Sequence, residues 1–152
     1  MPSMTRRTAL AAFAACALAT AVAFPAGAQP KAGEPLKIGF VYVSPIGDAG
    51  WTFQHDTGRK EMEKALGAKV TSKYIESVPE GADAERVIRE LAQSGHQLIF
   101  TTSFGYMNPT IKVAGTFPKT QFEHATGYKS AKNVGIYNAR FYEGRYLAGI
   151  VA

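Results

Sequence analysis

Cysteine is almost missing from this chain: Cys16 is the only one in 152 residues. Cleavage after Ala28 would leave residues 29–152 without a thiol. That excludes a disulfide framework, a thiolate nucleophile and a cysteine-ligated metal in the remaining chain. The apolar run near the amino terminus falls short of the roughly 20 residues that a membrane-spanning helix requires. No cluster of five or more Lys and Arg occurs, and the net charge of +5 includes Arg6 and Arg7. The rest of the charge is interspersed with acids, the pattern of a mixed surface rather than of a nucleic-acid patch. His55, His96 and His124 fall on separate segments without H-x₃-H or H-E-x-x-H spacing, which gives a metal site little support. Gly47-Asp48-Ala49-Gly50 follows a strand pattern, yet it lacks both the G-x-G-x-x-G spacing and the G-K-[ST] of a P-loop. Ser44 and Ser103 lack the G-x-S-x-G elbow that exposes a nucleophile. No cofactor is expected.

What is present begins with a leader. Arg6 and Arg7 precede an apolar stretch from about Thr8 to Phe24, and Ala26-Gly27-Ala28 supplies the small-residue cleavage site, so residues 1–28 read as a secretory signal peptide. Thr5-Arg6-Arg7 also fits a twin-arginine signal, and Phe13-Ala14-Ala15-Cys16 a poor lipoprotein site, poor because apolar residues continue well beyond Cys16. Residues 29–35 form a Pro- and Gly-bearing spacer, and residues 36–152 are long enough for one domain with a core.

Within that domain, Lys37 to Val43 is β-branched, aromatic and nearly continuous in hydrophobicity, the mark of a strand buried on both faces. From Trp51, apolar or small residues at His55, Gly58, Met62, Ala65 and Leu66 make one helical stripe closed by Gly67. Val70 to Val78 predicts a second strand, and Asp83 opens a helix with Ala84, Val87, Ile88 and Leu91 on one face. Glu85 with Arg89 and Arg86 with Glu90 pair on its wet side. Gln97 to Thr102 predicts a third strand, and Asn108-Pro109 an N-cap followed by proline at the first position of a helix reaching about Phe117. Thr120 to Thr126 and Asn133 to Asn138 follow as strands, and Phe141, Gly144, Ala148 and Val151 form a last helical face suited to close packing. This alternation predicts an α/β domain of three layers, a parallel sheet covered on both faces by right-handed crossovers.

Ligands in such sheets sit beyond the carboxyl ends of the strands, which directs attention to the loops after the first and third strands. They hold Asp48 and Trp51, and Phe104, Gly105, Tyr106 and Asn108. Aromatic faces stack on a flat heteroaromatic ring, worth roughly 1–3 kcal/mol per ring in base stacking. A carboxylate accepts from exocyclic amino or ring N–H groups, and a glycine admits close backbone approach. Two positions have a second reading. Trp51 lies on the helical stripe and suits a core or hinge role equally well, and Asp48 suits a helix cap.

Three stretches together resemble one family. Lys37-Ile38-Gly39-Phe40-Val41-Tyr42-Val43 with Gly47-Asp48-Ala49-Gly50-Trp51-Thr52, then Thr101-Thr102-Ser103-Phe104-Gly105-Tyr106, then Tyr142-Glu143-Gly144-Arg145-Tyr146-Leu147-Ala148-Gly149 are similar to the basic membrane protein family, the purine-nucleoside receptors that serve as substrate-binding components of ABC importers. The resemblance implies a periplasmic-binding-protein fold, type I-like, in which two α/β lobes close on a purine nucleobase or nucleoside in the periplasm and pass it to a permease. It implies an acidic contact at Asp48, ligand contacts at Trp51, Phe104, Gly105 and Tyr106, and hinge or interlobe positions at Asn138, Glu143 and Gly144. Trp51 stands where nucleoside binders carry phenylalanine, and a broader ring suits a bare base, so adenine is the expected ligand. Family members run to about twice this length. The chain therefore reads as a first lobe, with a natural helical terminus as the alternative, and a lone lobe should present half a pocket, bind much more weakly and expose an apolar interlobe patch. Two other functions stand beside this one: a sensory ligand-binding domain, and a nucleoside-cleaving enzyme, for which no general acid or nucleophile is found.

Overall fold

A computed structural model describes residues 33–152. The signal peptide assigned to residues 1–28 and most of the spacer lie outside the described residues. Five parallel strands form one sheet in the order β2-β1-β3-β4-β5. They are β1 (Leu36–Val41), β2 (Val70–Ile75), β3 (Leu98–Thr101), β4 (Gln121–Ala125) and β5 (Val134–Tyr137). The helices are α1 (Trp51–Leu66), α2 (Ala82–Gln93), α3 (Met107–Ala114) and α4 (Phe141–Val151), with short 3₁₀ turns at Gly67–Lys69 and Phe104–Tyr106.

Strand alternation divides the core. Val41, Ile99, Phe122 and Val134 point to the face covered by α2 and α3, where Ala84, Val87, Ile88, Leu91, Val113 and Ala114 meet them. Ile38, Phe40, Tyr42 and Val70 point the other way, with Met62 of α1 and with Leu98 and Phe100. β1 lies between β2 and β3, which pair its two edges, while α2 and α3 cover one of its faces and α1 the other, and Val41 and Tyr42 are fully buried. The α2 face is the one its periodicity predicts, and the Arg89–Glu85 and Arg86–Glu90 pairs form at 3.1 and 2.9 Å.

Three expectations are corrected. On α1 the buried residues are Thr52, Asp56 and Arg59, whereas Trp51 and Leu66 at the two ends of the apolar stripe are exposed. The sheet beneath presents hydroxyls and phenols, and a polar network fills the contact. Arg59 bonds Asp56 at 2.8 Å, Glu63 at 3.1 Å and Ser72 at 3.0 Å, and lies 4.9 Å from the ring centre of Tyr74. Burial pushes the Asp56 carboxyl up, but hydrogen bonds from Lys60 and Arg59 outweigh it and hold the group below the usual carboxylate range. Second, Asn108 does not cap α3. The 3₁₀ turn, closed by Tyr106 N–H to Ser103 O at 3.0 Å, feeds straight into the helix, and Pro109 occupies a first-turn position whose N–H has no intrahelical acceptor. Third, the α4 face expected to pack, Phe141, Gly144, Ala148 and Val151, holds no buried residue: Val151 is exposed, and Phe141 reaches the Trp51 ring at 5.7 Å.

One further polar chain is sealed in the core. Thr110 donates to Thr101 Oγ1 at 3.0 Å, and Thr101 Oγ1 lies 2.9 Å from His124 Nδ1. The His124 Nε2 is buried without a hydrogen-bond partner among the described residues.

Two predictions arise here. Asp56→Ala should cost about 3 kcal/mol in urea unfolding, at the low end for a broken buried pair because Glu63 still reaches Arg59. A loss below about 1 kcal/mol would mean that water screens the pair. Burial lowers the His124 value from the ordinary 6.5, with the Thr101 contact opposing in part, and burial lowers His96 as well. A depressed histidine leaves the unfolded state holding more protons. Stability is therefore complete above about pH 6.5 and falls as pH drops through the window beneath, by up to about 1.36 kcal/mol per pH unit per proton. His124→Asn should flatten that slope, and an unchanged slope would locate the proton uptake elsewhere.

Candidate functional site

The strand order reverses direction between β1 and β3, and in such sheets a crevice opens at the carboxyl ends of the strands. Tyr42 to Gly50 leaves β1 there and Thr102 to Tyr106 leaves β3. Thr102 binds back to Val41 O through its N–H at 3.2 Å and its hydroxyl at 2.8 Å. The Trp51 indole N–H donates to Thr102 O, so the first residue of α1 spans from one loop to the other. Gly50 takes φ 95°, a left-handed value that suits glycine, and so turns the chain into the helix.

Beside that bridge lies a cleft of about 580 Å³. One wall is the start of α1, with Trp51, Gln54 and His55; the opposite one is Ala125 and Thr126 at the end of β4 and Tyr137, Asn138 and Ala139 at the end of β5; Phe141 of α4 closes a third side. Its aromatic rings are close to one another. The Trp51 ring centre lies 4.6 Å from His55 and 5.7 Å from Phe141, and His55 lies 6.2 Å from Tyr137. No Asp, Glu, Lys or Arg lines this cleft. His55 Nδ1 faces Trp51 O at 2.9 Å, and since a carbonyl only accepts, that nitrogen carries a proton. Burial, helped by the Glu123 carboxylate, pushes the Tyr137 phenol well above its ordinary range, so it stays neutral. A flat, neutral, nitrogenous ligand suits these walls, because stacking surface is plentiful and amide, hydroxyl and imidazole groups offer hydrogen bonds without a charge to neutralise.

The expected site residues are divided among different places. Trp51 and Asn138 line the cleft, and Gly144 borders a second recess beside Trp51, Phe141, Arg145 and Ala148. Glu143 pairs with Arg140 at 2.9 Å on the surface. Asp48 is exposed and does not cap α1, whose N-cap is Gly50 without a side-chain bond. Phe104 is 56% exposed at the same end of the sheet but outside the cleft wall, with Tyr128 as its ring neighbour at 6.3 Å. The Gly105 N–H bonds Glu80 at 3.1 Å. Tyr106 is fully buried and its hydroxyl donates to Val78 O at 2.6 Å, so its side chain belongs to the core. Gln54, His55, Thr126, Tyr137 and Phe141 escaped the sequence reading. The rule applied to the ends of the first and third strands would have found Thr126 and Tyr137 had it been carried on to the fourth and fifth. Among the described residues, no group of three or more His, Cys, Asp or Glu comes together as a metal cage, and no helix is long and apolar enough to cross a membrane.

A parallel α/β sheet whose strand-end loops frame an uncharged aromatic cleft defines a lobe of the solute-binding class. Residues 36–152 match the family described as ABC transporter substrate-binding protein, PnrA-like, and the chain belongs to it. A purine-binding protein of Brucella abortus is 58% identical over 135 residues, covering 89% of this chain and 39% of that protein. A Haloferax volcanii protein, provisionally named an ABC transporter glucose-binding protein, is 44% identical over 123 residues, 81% of this chain and 31% of its own length. The chain thus spans well under half of these curated relatives. Among solved structures, an ABC transporter solute-binding protein of Aeropyrum pernix superposes with a TM-score of 0.65 at 25% identity, covering 78% of this chain and 32% of that one. One from Conexibacter woesei does so with 0.64 at 23%, covering 77% and 39%. These likenesses show the fold.

Trp51 is the only tryptophan in the chain, so its emission reports on the cleft alone. Phe141→Ala should uncover the indole and shift that emission to the red. An unshifted spectrum would mean that the Phe141 ring does not shield Trp51.

Proposed function

We propose that this lobe captures a purine, adenine ahead of adenosine, in the periplasm for delivery to an ABC permease, and that it binds without catalysing a reaction. The observation that carries this reading is the uncharged aromatic cleft: Trp51, His55, Tyr137 and Phe141 offer ring faces, while Gln54, Thr126 and Asn138 offer donors and acceptors to a ring edge. A phosphorylated ligand would leave its charge unmatched there. Asp48 and Phe104, on the loops at the same end of the sheet, are further contacts in this reading. The name of the Brucella relative supports purine as the ligand class, and the family supports transport over catalysis.

The Haloferax relative's name favours a second ligand, since glucose also stacks on tryptophan. Trp51 emission, followed as adenine, adenosine and glucose are titrated separately to about 1 mM, decides among them. Adenine should quench at the lowest concentration, and in Trp51→Phe, which has lost the fluorophore, calorimetry should show weaker adenine binding with an unchanged circular dichroism spectrum. Tighter adenosine binding would remove the preference for the base. A response to glucose alone would replace the purine reading, and silence to all three would end it.

A further inference from the structure

The crossover from β2 to α2 supplies no wall of the cleft, yet it is bonded to both loops of the crevice. Because β2 is the edge strand while α2 packs over β1 and β3, this segment must pass across the carboxyl end of β1. On the way, Val78 N–H donates to Tyr42 O at 3.0 Å, and Glu76 accepts the Ile46 N–H at 2.9 Å in the loop that carries Asp48. Val78 O then accepts from Tyr106, and the Glu80 carboxylate accepts from both the Ser103 hydroxyl and the Gly105 N–H, all through one oxygen, Oε1. Ser77 holds φ 56°, a left-handed value that a serine adopts only where its surroundings impose it.

Phe104 sits between the two residues that Glu80 grips. A side chain at position 105 would place its Cβ 2.1 Å from the Glu80 carboxyl carbon, so the carboxylate occupies the space that the glycine leaves. The ring itself is exposed, while the backbone on either side of it is fixed. A stacking surface held this way loses little freedom when a ligand arrives.

We infer that Glu80 is a positioning residue for ligand capture: without touching the ligand, it holds Ser103 to Gly105 so that the Phe104 ring is presented at the β1/β3 crevice. This rests on the purine reading above. Four versions of the purified chain test it, wild type, Glu80→Ala, Glu80→Gln and Phe104→Ala, together with the Glu80→Ala/Phe104→Ala double variant. Amide hydrogen exchange over residues 103–106 reports the loop, and adenine affinity reports the site. Glu80→Ala should speed exchange at Gly105 about tenfold and weaken adenine about tenfold, the scale of one net hydrogen bond at an exposed site. Glu80→Gln should stay near wild type in both, because its amide oxygen still accepts. The double variant should bind no worse than Phe104→Ala.

Three results would overturn the role: unchanged exchange in Glu80→Ala, a Glu80→Gln affinity that falls with the loop still protected, or additive losses in the double variant. The second would mean that the carboxylate acts on the ligand by its charge. Wild-type protein that ignores adenine ends the purine reading and this role with it. The exchange measurement in the same samples then says separately whether the clamp exists.

Discussion

Thr102 carries most of the geometry of the crevice. Its N–H and hydroxyl both return to Val41 O, and its own carbonyl accepts the Trp51 indole. A parallel strand covered by helices on both faces has no free face on which to display chemistry, so β1 and β3 can act only where they stop. The bonds through Thr102 set where the two strands stop relative to each other, and so where α1 begins. Trp51 is thereby committed to two tasks at once, its N–H to the opposite loop and its ring face to the cleft.

The same constraint explains why α1 is polar underneath. A helix that must keep Trp51 and His55 over the strand ends cannot also turn that stripe into the sheet. The residues one position along, Thr52, Asp56 and Arg59, go inward instead; Asp56 and Arg59 pair with each other, Lys60 and Glu63 pair with them in turn, and the Ser72 hydroxyl accepts from Arg59. Broken pairs of this kind are costly, whereas intact ones add little net stability. The network accordingly serves to fix how α1 is rotated and leaves the apolar face for the cleft.

Exposure on α4 has a related consequence. Its tyrosines, Leu147 and Ile150 cover nothing in the described residues, and only Phe141 turns back to meet Trp51. The chain spans 39% of the Brucella relative, so a large part of that protein has no counterpart here.

Much of the fold was legible because hydrophobic periodicity is a local property. β1 announced itself by an unbroken apolar run, α2 by Ala84, Val87, Ile88 and Leu91, and the alternation of the two element types defined a parallel sheet. The family was equally legible, since short motifs survive in linear order. Rotation of α1, the burial of Tyr106 and the meeting of Trp51 with Tyr137, Asn138 and Phe141 were not legible. Each depends on distances between residues far apart in the chain, and such distances arise only when the strands take their order in the sheet. The sequence by itself therefore determined the elements, their alternation and the chemical character of the strand-end loops. The tertiary structure alone decided which of those loop residues share a cleft, which are consumed by the core, and that a carboxylate from the neighbouring crossover grips the Phe104 loop, because hydrogen bonds and ring contacts act over a few ångströms and carry no trace in residue spacing.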